Sequence, residues 1–290
     1  MMESLDITGW SGPFGEAEQA RAVECLEVGK VLAFPALRFP LDEAEQGVIR
    51  LAGTDGSAKN ISLDPATGEC KGSTLTGDDR IRLAAVLERF ARSAMGLILG
   101  LMPFYQPGLT RGRTSFRPVE IAGRQSSWRQ DDKRLHVDAF PTRPLRGQRI
   151  LRLFANIDHD GVPRYWRVGP DFESYATQFL PGLRPSIPGQ ARLLRMLGLT
   201  KAMRSRYDEV MLHLHDAAKR DMEWQGRAGA VDVDFPAGSA WAVFTDQVPH
   251  AALSGRNALE QTFYIDPHVL ARPGTAPLAV LERLCGQAMV

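Results

Sequence analysis

Three residues have the types and the order of a metal-binding set: His136, Asp138 and, far downstream, His250. Alternate side chains of a strand share a face, so His136 and Asp138 are predicted to emerge side by side. His250 is expected on a turn that follows a strand at 240–244. Two imidazoles and one carboxylate occupy one face of an octahedral Fe(II) and leave positions open for a co-substrate and O2. The pattern therefore predicts iron-dependent oxygen chemistry.

Other interpretations of the same three residues remain open. Zinc in the triad would favour a hydrolase, and a metal-free jelly roll would favour a sugar-binding module without catalysis. The remaining histidines give weaker patterns. His213 and His215 are two positions apart in a predicted helix and do not share a face, while His159 lies in a turn-like Asp-His-Asp-Gly segment. These three and His268 are predicted to be structural or surface residues.

The composition excludes some classes of protein. The chain has 290 residues, of which 44% are hydrophobic and 24% charged, and its net charge is +1. Such a balance is typical of a globular protein with a large core, and it gives no overall field that would favour a nucleic-acid partner. The apolar stretch at 94–104 is well short of the roughly 20 residues that a membrane span needs. Three cysteines without metal-ligand spacing and no apparent secretion signal predict a cytoplasmic protein.

The order of predicted elements indicates an α+β fold. Helices are predicted at 16–28, 41–48, 78–101, 171–179 and 190–224, from apolar periodicity and capping residues. Strands are predicted at 31–34, 115–121, 135–140, 149–157, 231–235, 240–244 and 259–265. We expect a single domain over 1–290, with mainly helical support at 1–110 and a β core at 111–290 that contains a helical insertion at about 171–225. A small antiparallel barrel or jelly roll fits this order.

Several arginines lie near the predicted metal site in the sequence. Arg143, Arg146, Arg164 and Arg167 follow the His-x-Asp pair, where they are candidates to contact an anionic substrate, although a solvated strand-and-loop region is the alternative. Arg256 follows His250 at the start of the last strand. A guanidinium there can bind a carboxylate through two parallel hydrogen bonds, and the alternative is a surface arginine in a turn.

Four segments resemble the Kdo 3-hydroxylase family of Fe(II)- and 2-oxoglutarate-dependent dioxygenases. They are SFRPVEI at 115–121, RLHVDAFP at 134–141, GQRILRLFANI at 147–157 and PRYWRVG at 163–169. The likeness extends over most of the chain from about residue 110 onward. It implies a double-stranded β-helix, a jelly roll, in which His136, Asp138 and His250 match the iron ligands. It also implies Fe2+ and 2-oxoglutarate as cofactors.

The same resemblance implies a substrate and a reaction. Members of that family use O2 to hydroxylate the third carbon of Kdo, the acidic octulosonic sugar, on Kdo-lipid A. Arg256 is the best match for the residue that pairs with the distal carboxylate of 2-oxoglutarate, with Arg149 or Arg152 as the next choice. Another acidic sugar or a lipid remains a possible substrate.

One stretch of the helical insertion alternates basic and apolar residues. The basic residues are Arg192, Arg195, Lys201, Arg204 and Arg206. The apolar residues are Leu193, Leu194, Met196, Leu197, Leu199 and Met203. A basic amphipathic segment of this kind predicts peripheral contact with an anionic membrane. The lipid substrate that the resemblance implies would make this the cytoplasmic face of the inner membrane. The alternative is an ordinary helix whose apolar side packs on the barrel.

Overall fold

The computed structural model describes residues 1–56, 59–183, 195–200 and 202–290. Seven α-helices lie in these ranges: α1 (Glu16–Glu27), α2 (Glu43–Leu51), α3 (Gly77–Leu101), α4 (Phe172–Phe179), α5 (Arg206–Arg220), α6 (Met222–Arg227) and α7 (Pro277–Cys285). Within the same ranges, no helix is long and apolar enough to cross a membrane.

Eleven strands are found in the described ranges. They are β1 (Met2–Ser4), β2 (Val31–Phe34), β3 (Ile61–Leu63), β4 (Cys70–Lys71), β5 (Leu109–Arg117), β6 (Arg149–Asn156), β7 (Arg164–Val168), β8 (Val231–Phe235), β9 (Ala240–Phe244), β10 (His250–Ser254) and β11 (Ala258–Ile265). They form an eight-stranded sheet in the order β1-β2-β9-β6-β11-β5-β3-β4 and a three-stranded sheet in the order β10-β7-β8. Apart from the parallel pair β1–β2, neighbouring strands run antiparallel.

The two faces of the large sheet have different roles because successive side chains of a strand point to opposite faces. On β6, Leu151 and Leu153 pack into the core beneath the N-terminal helices, while Arg152 and Phe154 line the opposite face, toward the small sheet. Every residue of β11 is buried because both faces of this central strand are covered. A charged side chain on the second face is therefore buried between the sheets.

The N-terminal helices support the outer face of the large sheet. The buried residues of α3 recur at helical spacing and pack with residues from β6, β9 and β11. Helix α2 begins with a capping box in which Asp42 accepts from the Glu45 amide at 2.8 Å and Glu45 accepts from the Asp42 amide at 3.0 Å. Because the N-terminal helices cover the outer face of the large sheet, its inner face is left free to form a site.

The helical insertion packs behind the His-x-Asp segment. Leu135 and Val137 share a buried apolar cluster with residues of α4, α5, α6 and α7. Helix α5 begins with a capping box of Ser205 and Asp208. The Asp208 carboxylate also accepts from the backbone amides of Leu145, at 2.7 Å, and Arg146, at 3.1 Å. The start of α5 is thereby tied to the chain that follows the His-x-Asp pair.

The structure confirms the predicted α+β jelly roll and differs from the sequence prediction in local detail. The segment at 135–140 is not a regular strand: His136 forms an isolated bridge with His250, and the amide of Asp138 bonds the carbonyl of Thr245. His250 begins strand β10 rather than lying on a turn, so that prediction was wrong. The strand predicted at 115–121 lies at Leu109–Arg117, because Pro118 cannot donate a backbone hydrogen bond to the sheet. Parts of the predicted helix at 190–224 lie outside the described residues.

Candidate active site

The backbone holds the two histidines together. His136 and His250 exchange hydrogen bonds, from the amide of His136 to the carbonyl of His250 at 3.1 Å and in the reverse direction at 2.9 Å. The amide of Asp138 donates to the carbonyl of Thr245, just beyond β9, at 2.8 Å. Alternation along this extended segment points His136 and Asp138 to one side. The pairing therefore gathers the three side chains that the sequence singled out.

The side chains form a candidate metal site. One ligand atom from each of His136, Asp138 and His250 lies within 4.8 Å of the other two. Nδ1 of His136 lies 2.7 Å from the carbonyl of Arg134, and Nδ1 of His250 lies 2.9 Å from the carbonyl of Val248. A carbonyl oxygen only accepts, so each Nδ1 donates and each Nε2 keeps its lone pair for a metal. The donor set fits Fe(II).

Electrostatics favour the charge states that a metal requires. Burial lowers the pKa of His136, and the nearby Lys219 ammonium lowers it further. Burial also lowers the pKa of His250, so both rings are neutral near pH 7. Burial alone would raise the pKa of Asp138, but the guanidinium of Arg152, the two nearby histidines and a hydrogen bond from Thr245 together outweigh burial, and the pKa is lowered. Two neutral imidazoles therefore face one ionised carboxylate.

Three arginines and two acids, Asp132 and Asp138, line the same cavity, whose empty volume is about 400 Å³ including its open mouth. Arg152 lies 2.9 Å from Asp138 and 3.1 Å from Glu260. Arg117 donates from Nε to Glu260 at 2.7 Å. It faces the cavity because it alternates on β5 with Phe116, which points into the helix-covered core. These two arginines are therefore paired within the protein.

Arg164 differs from its two neighbours because it has no carboxylate partner. It is one of the largest fully buried side chains, and in the described ranges no acidic group forms a salt bridge with it. Among the described residues its Nε finds no hydrogen-bond partner, and its Nη1 reaches the carbonyl of Gly255 at 3.4 Å. Burial and then Arg117 lower its pKa to about 9, which leaves the guanidinium charged at neutral pH. A buried unpaired cation in the cavity wall suits an anionic ligand, which would offset the cost of burying the charge.

Aromatic rings complete the wall beside His250. Trp166 stacks on the His250 ring with centroids 5.2 Å apart and an interplanar angle of 21°. Phe154 meets Trp166 edge to face at 5.1 Å. Both rings belong to a buried apolar cluster between the two sheets. They restrict the orientation of the His250 ring and exclude water from that side of the cavity.

The structure brings some of the predicted anion contacts to the cavity and not others. Arg164 lies in the cavity wall. Arg167, three residues further along β7, faces the outer side and pairs with Asp232 at 2.6 Å. Arg143 covers the ring of Tyr264 at 3.8 Å. Arg146 occupies an exposed turn with a φ of 53°. Alternation explains the difference, since Arg164 and Arg167 point to opposite faces of β7.

Arg256 does not line the cavity. Its guanidinium forms salt bridges with Asp158, at 3.1 Å, and with Asp160 in the loop that follows β6. Of the alternatives, Arg149 is buried on the helix-covered face of β6, where it bonds Asp246 at 2.7 Å, while Arg152 reaches the cavity. Arg164 was predicted from the sequence as a contact for an anionic substrate, and neither Arg117 nor Arg164 was predicted to bind 2-oxoglutarate. The available signal for these two residues was the alternation of side chains along a strand. Arg117 alternates with Phe116 on β5, and Arg164 alternates with Tyr165 on β7.

Comparison with known proteins identifies the class as the non-heme Fe(II) α-ketoglutarate-dependent dioxygenases. The Kdo hydroxylase KdoO in complex with α-ketoglutarate and Fe(III) is 44% identical, with a TM-score of 0.94, and the match covers 100% of this chain and 97% of that one. The same protein in complex with cobalt(II) is 45% identical, with a TM-score of 0.95 and the same coverage. A search of curated proteins found no match.

The family model for 3-deoxy-D-manno-oct-2-ulosonic acid (Kdo) hydroxylase matches residues 10–288. The chain therefore belongs to the Kdo hydroxylase family. This match confirms the family that the four sequence segments resemble.

Proposed function

We propose that this enzyme hydroxylates carbon 3 of Kdo on Kdo-lipid A, using Fe(II), 2-oxoglutarate and O2. The observation that carries the proposal is the combination, in one cavity, of the His136–Asp138–His250 cluster and the unpaired cation Arg164. The cluster suits a metal that needs open coordination positions. Arg164 suits a dicarboxylate that must reach that metal. Family membership supports the sugar.

The residues have separable roles in this proposal. His136, Asp138 and His250 would hold the iron, which, with 2-oxoglutarate and O2, supplies the oxidant for an unactivated C–H bond. Arg164, with Arg117 beside it, would bind the distal carboxylate of 2-oxoglutarate. Arg152 holds Asp138 ionised and oriented through its 2.9 Å contact.

Product analysis tests the reaction directly. Purified enzyme with Fe(II), 2-oxoglutarate and Kdo-lipid A is expected to yield a product heavier by one oxygen atom, with one succinate formed for each hydroxylation. Mass spectrometry of the product, with fragmentation of the released sugar, locates the added oxygen. Oxygen on another carbon would refute the regiochemistry. Succinate formation that the substrate does not stimulate would refute Kdo-lipid A as the substrate.

We further propose that the insertion contacts an anionic membrane, where a lipid substrate resides. Met196, Leu197 and Leu199 expose 75%, 62% and 56% of their surfaces to solvent, an unusual density of apolar exposure. Of the basic residues named above, Arg204 already donates to the carbonyl of Pro141 at 2.6 Å, and Arg206 pairs with Glu209 at 3.1 Å. Arg192, Lys201, Leu193 and Leu194 lie outside the described residues. Apolar insertion is therefore the main expected contribution.

Vesicle co-sedimentation tests this contact. The enzyme is expected to pellet with vesicles that contain anionic phospholipid, and a variant with Met196, Leu197 and Leu199 changed to Ser is expected to remain in the supernatant. Ile81 is an equally exposed apolar residue, on α3, and Ile81→Ser is the matched control that should still pellet. Binding of the triple variant at the wild-type level would refute the membrane contact.

A further inference from the structure

Cations lie at one side of the cavity mouth. Asp132 lines the cavity together with His136, and its backbone carbonyl accepts from the amide of Ala252 on β10 at 2.8 Å. Nζ of Lys59 lies 3.3 Å from one carboxylate oxygen of Asp132, and Nη2 of Arg124 donates to the other oxygen at 2.5 Å. Because Asp132 is held beside the metal-binding cluster, the two cations that pair with it are held at the mouth of the same cavity.

Lys133 adds a third positive charge to this region. Its Nζ donates to the backbone carbonyl of Arg124 at 3.0 Å, and in the described part of the chain no carboxylate lies within 4.0 Å of it. We refer to Lys59, Arg124 and Lys133 as the cationic rim. Among the residues that the structure describes, Asp132 is the one carboxylate that pairs with any member of the rim. Three positive charges therefore share one negative charge.

A preformed turn positions Arg124. The carboxylate of Glu120 accepts from the backbone amides of Ile121, at 2.8 Å, and Ala122, at 2.9 Å. Gly123 has a φ of 75°, a conformation that glycine adopts without strain. The amide of Arg124 then donates to the carbonyl of Ile121 at 3.2 Å. Since the turn is already ordered, little backbone entropy is lost when a ligand binds this part of the rim.

The cationic rim is more accessible than the groups that face the metal. The side chains of Lys59 and Arg124 are 31% and 21% exposed, compared with 9% for His136, and Arg164 is fully buried. The rim therefore lies nearer to the solvent than the proposed 2-oxoglutarate site. A ligand group that contacts the rim belongs to the part of a substrate that stays outside the metal pocket.

The chemistry of the substrate limits which anion can reach the rim. In a 2-ulosonic acid such as Kdo, the carboxyl group is attached to carbon 2, next to the carbon that is hydroxylated. With carbon 3 at the metal, the sugar carboxylate must lie inside the cavity. Lipid A also carries phosphate groups, and these stay outside with the lipid. A phosphate monoester has about −1.5 to −2 charge near pH 7 and three acceptor oxygens, which suits several cations at once.

We propose that the cationic rim binds a phosphate group of the glycolipid substrate while the sugar lies at the metal-binding cluster. The proposal rests on the proposed function, because it assigns these residues to Kdo-lipid A. Donors remain for such a ligand: Arg124 has five N–H groups and gives one to Asp132, and Lys133 has three and gives one to the carbonyl of Arg124. The contact would fix the orientation of the sugar and select against uncharged glycolipids.

A modified substrate tests the proposal without changing the protein. Hydroxylation is measured in neutral detergent micelles with Kdo-lipid A and with the same glycolipid after removal of its phosphates. The KM for the dephosphorylated glycolipid is expected to be about 10-fold higher, because several partly exposed charge pairs are lost. Equal KM values for the two glycolipids with wild-type enzyme would overturn the proposal.

A triple variant assigns the effect to the rim. Lys59, Arg124 and Lys133 changed together to Gln should raise the KM for Kdo-lipid A by about 10-fold, and removal of the phosphates should then have little further effect. The KM for 2-oxoglutarate and the iron content should not change. The control is a triple change to Gln at three exposed surface arginines, Arg21, Arg227 and Arg283, which should keep the wild-type KM. Full additivity of the triple variant and phosphate removal would overturn the assignment.

Lys133→Gln is a milder variant that protects the test against misfolding. It leaves the pairs of Asp132 with Lys59 and Arg124 in place, and it should raise the KM for Kdo-lipid A by about threefold. Lys71→Gln, which removes an exposed charge that pairs with Glu69 on the far edge of the large sheet, is the matched control. The rise should disappear with the dephosphorylated glycolipid. A rise that is the same with both glycolipids would overturn the role of Lys133 in phosphate binding.

The outcomes separate this inference from the proposed function. If wild-type enzyme hydroxylates neither glycolipid, the proposed function fails and this inference fails with it. If wild-type enzyme hydroxylates both with the same KM, the proposed function stands and the phosphate site is overturned. If the rim variants differ from wild type only when anionic phospholipid is added to the micelles, the rim contacts lipid headgroups and the assignment to the substrate is overturned.

Discussion

Asp138→Asn is expected to abolish hydroxylation and to lower the affinity for iron by more than about 100-fold. Mutation of a residue that only hydrogen-bonds to a metal ligand already costs about 10–100-fold in metal affinity. The substitution keeps the shape of the side chain and removes the charge that balances the metal. His136→Ala and His250→Ala should have the same effect, because each removes one nitrogen from the cluster. Iron content, succinate formation and circular dichroism of the purified variants are the measurements.

A matched control separates loss of the metal from loss of a carboxylate in general. Asp232→Asn breaks the pair with Arg167 on the outer face of β7 and should leave iron content and activity at the wild-type level. The circular dichroism of all four variants should match that of wild type, because the backbone hydrogen bonds that hold the cluster remain. Full turnover with normal iron in Asp138→Asn would remove the carboxylate from the proposed site.

Arg164→Met is expected to raise the KM for 2-oxoglutarate by about 30-fold or more while iron content stays unchanged. The reason is the loss of a charge-assisted pair in a buried site, which costs about 2–5 kcal/mol. The thermal midpoint should not fall, because the variant removes a buried cation that has no carboxylate partner in the described structure. A fall in the midpoint with an unchanged KM would instead indicate a structural role.

Arg256→Met is the control for this experiment. It breaks the salt bridges with Asp158 and Asp160 and should leave the KM for 2-oxoglutarate unchanged. 2-Oxoglutarate should also stabilise wild-type enzyme against heat by mass action, and this stabilisation should be lost in Arg164→Met and kept in Arg256→Met. The opposite result would return the carboxylate-binding role to Arg256.

The local part of the site could be predicted from the sequence, and the long-range part only in outline. His136 and Asp138 share a face because of the two-residue period of extended chain, which any extended segment has. His250 could be grouped with them only by residue type and by family resemblance. The register that pairs His136 with His250 depends on contacts between distant segments, and no local pattern encodes it.

For the arginines too, local features could be predicted from the sequence, whereas their partners depend on contacts between distant segments. Arg256 was favoured because it follows the distal histidine, but the loop after β6 brings Asp158 and Asp160 to it. Which cation remains unpaired can be decided only when every acidic partner has been located, as it has for Arg117 and Arg152 and not for Arg164.

The reciprocal backbone hydrogen bonds between His136 and His250 have a thermodynamic consequence. They join the two ligand-bearing segments through the polypeptide itself, so the site is preorganised and little conformational entropy remains to be lost when a metal binds. The coordination geometry is then a property of the folded chain. Metal exchange at such a site is expected to be decoupled from folding, so that the enzyme should lose and regain iron without passing through a disordered state.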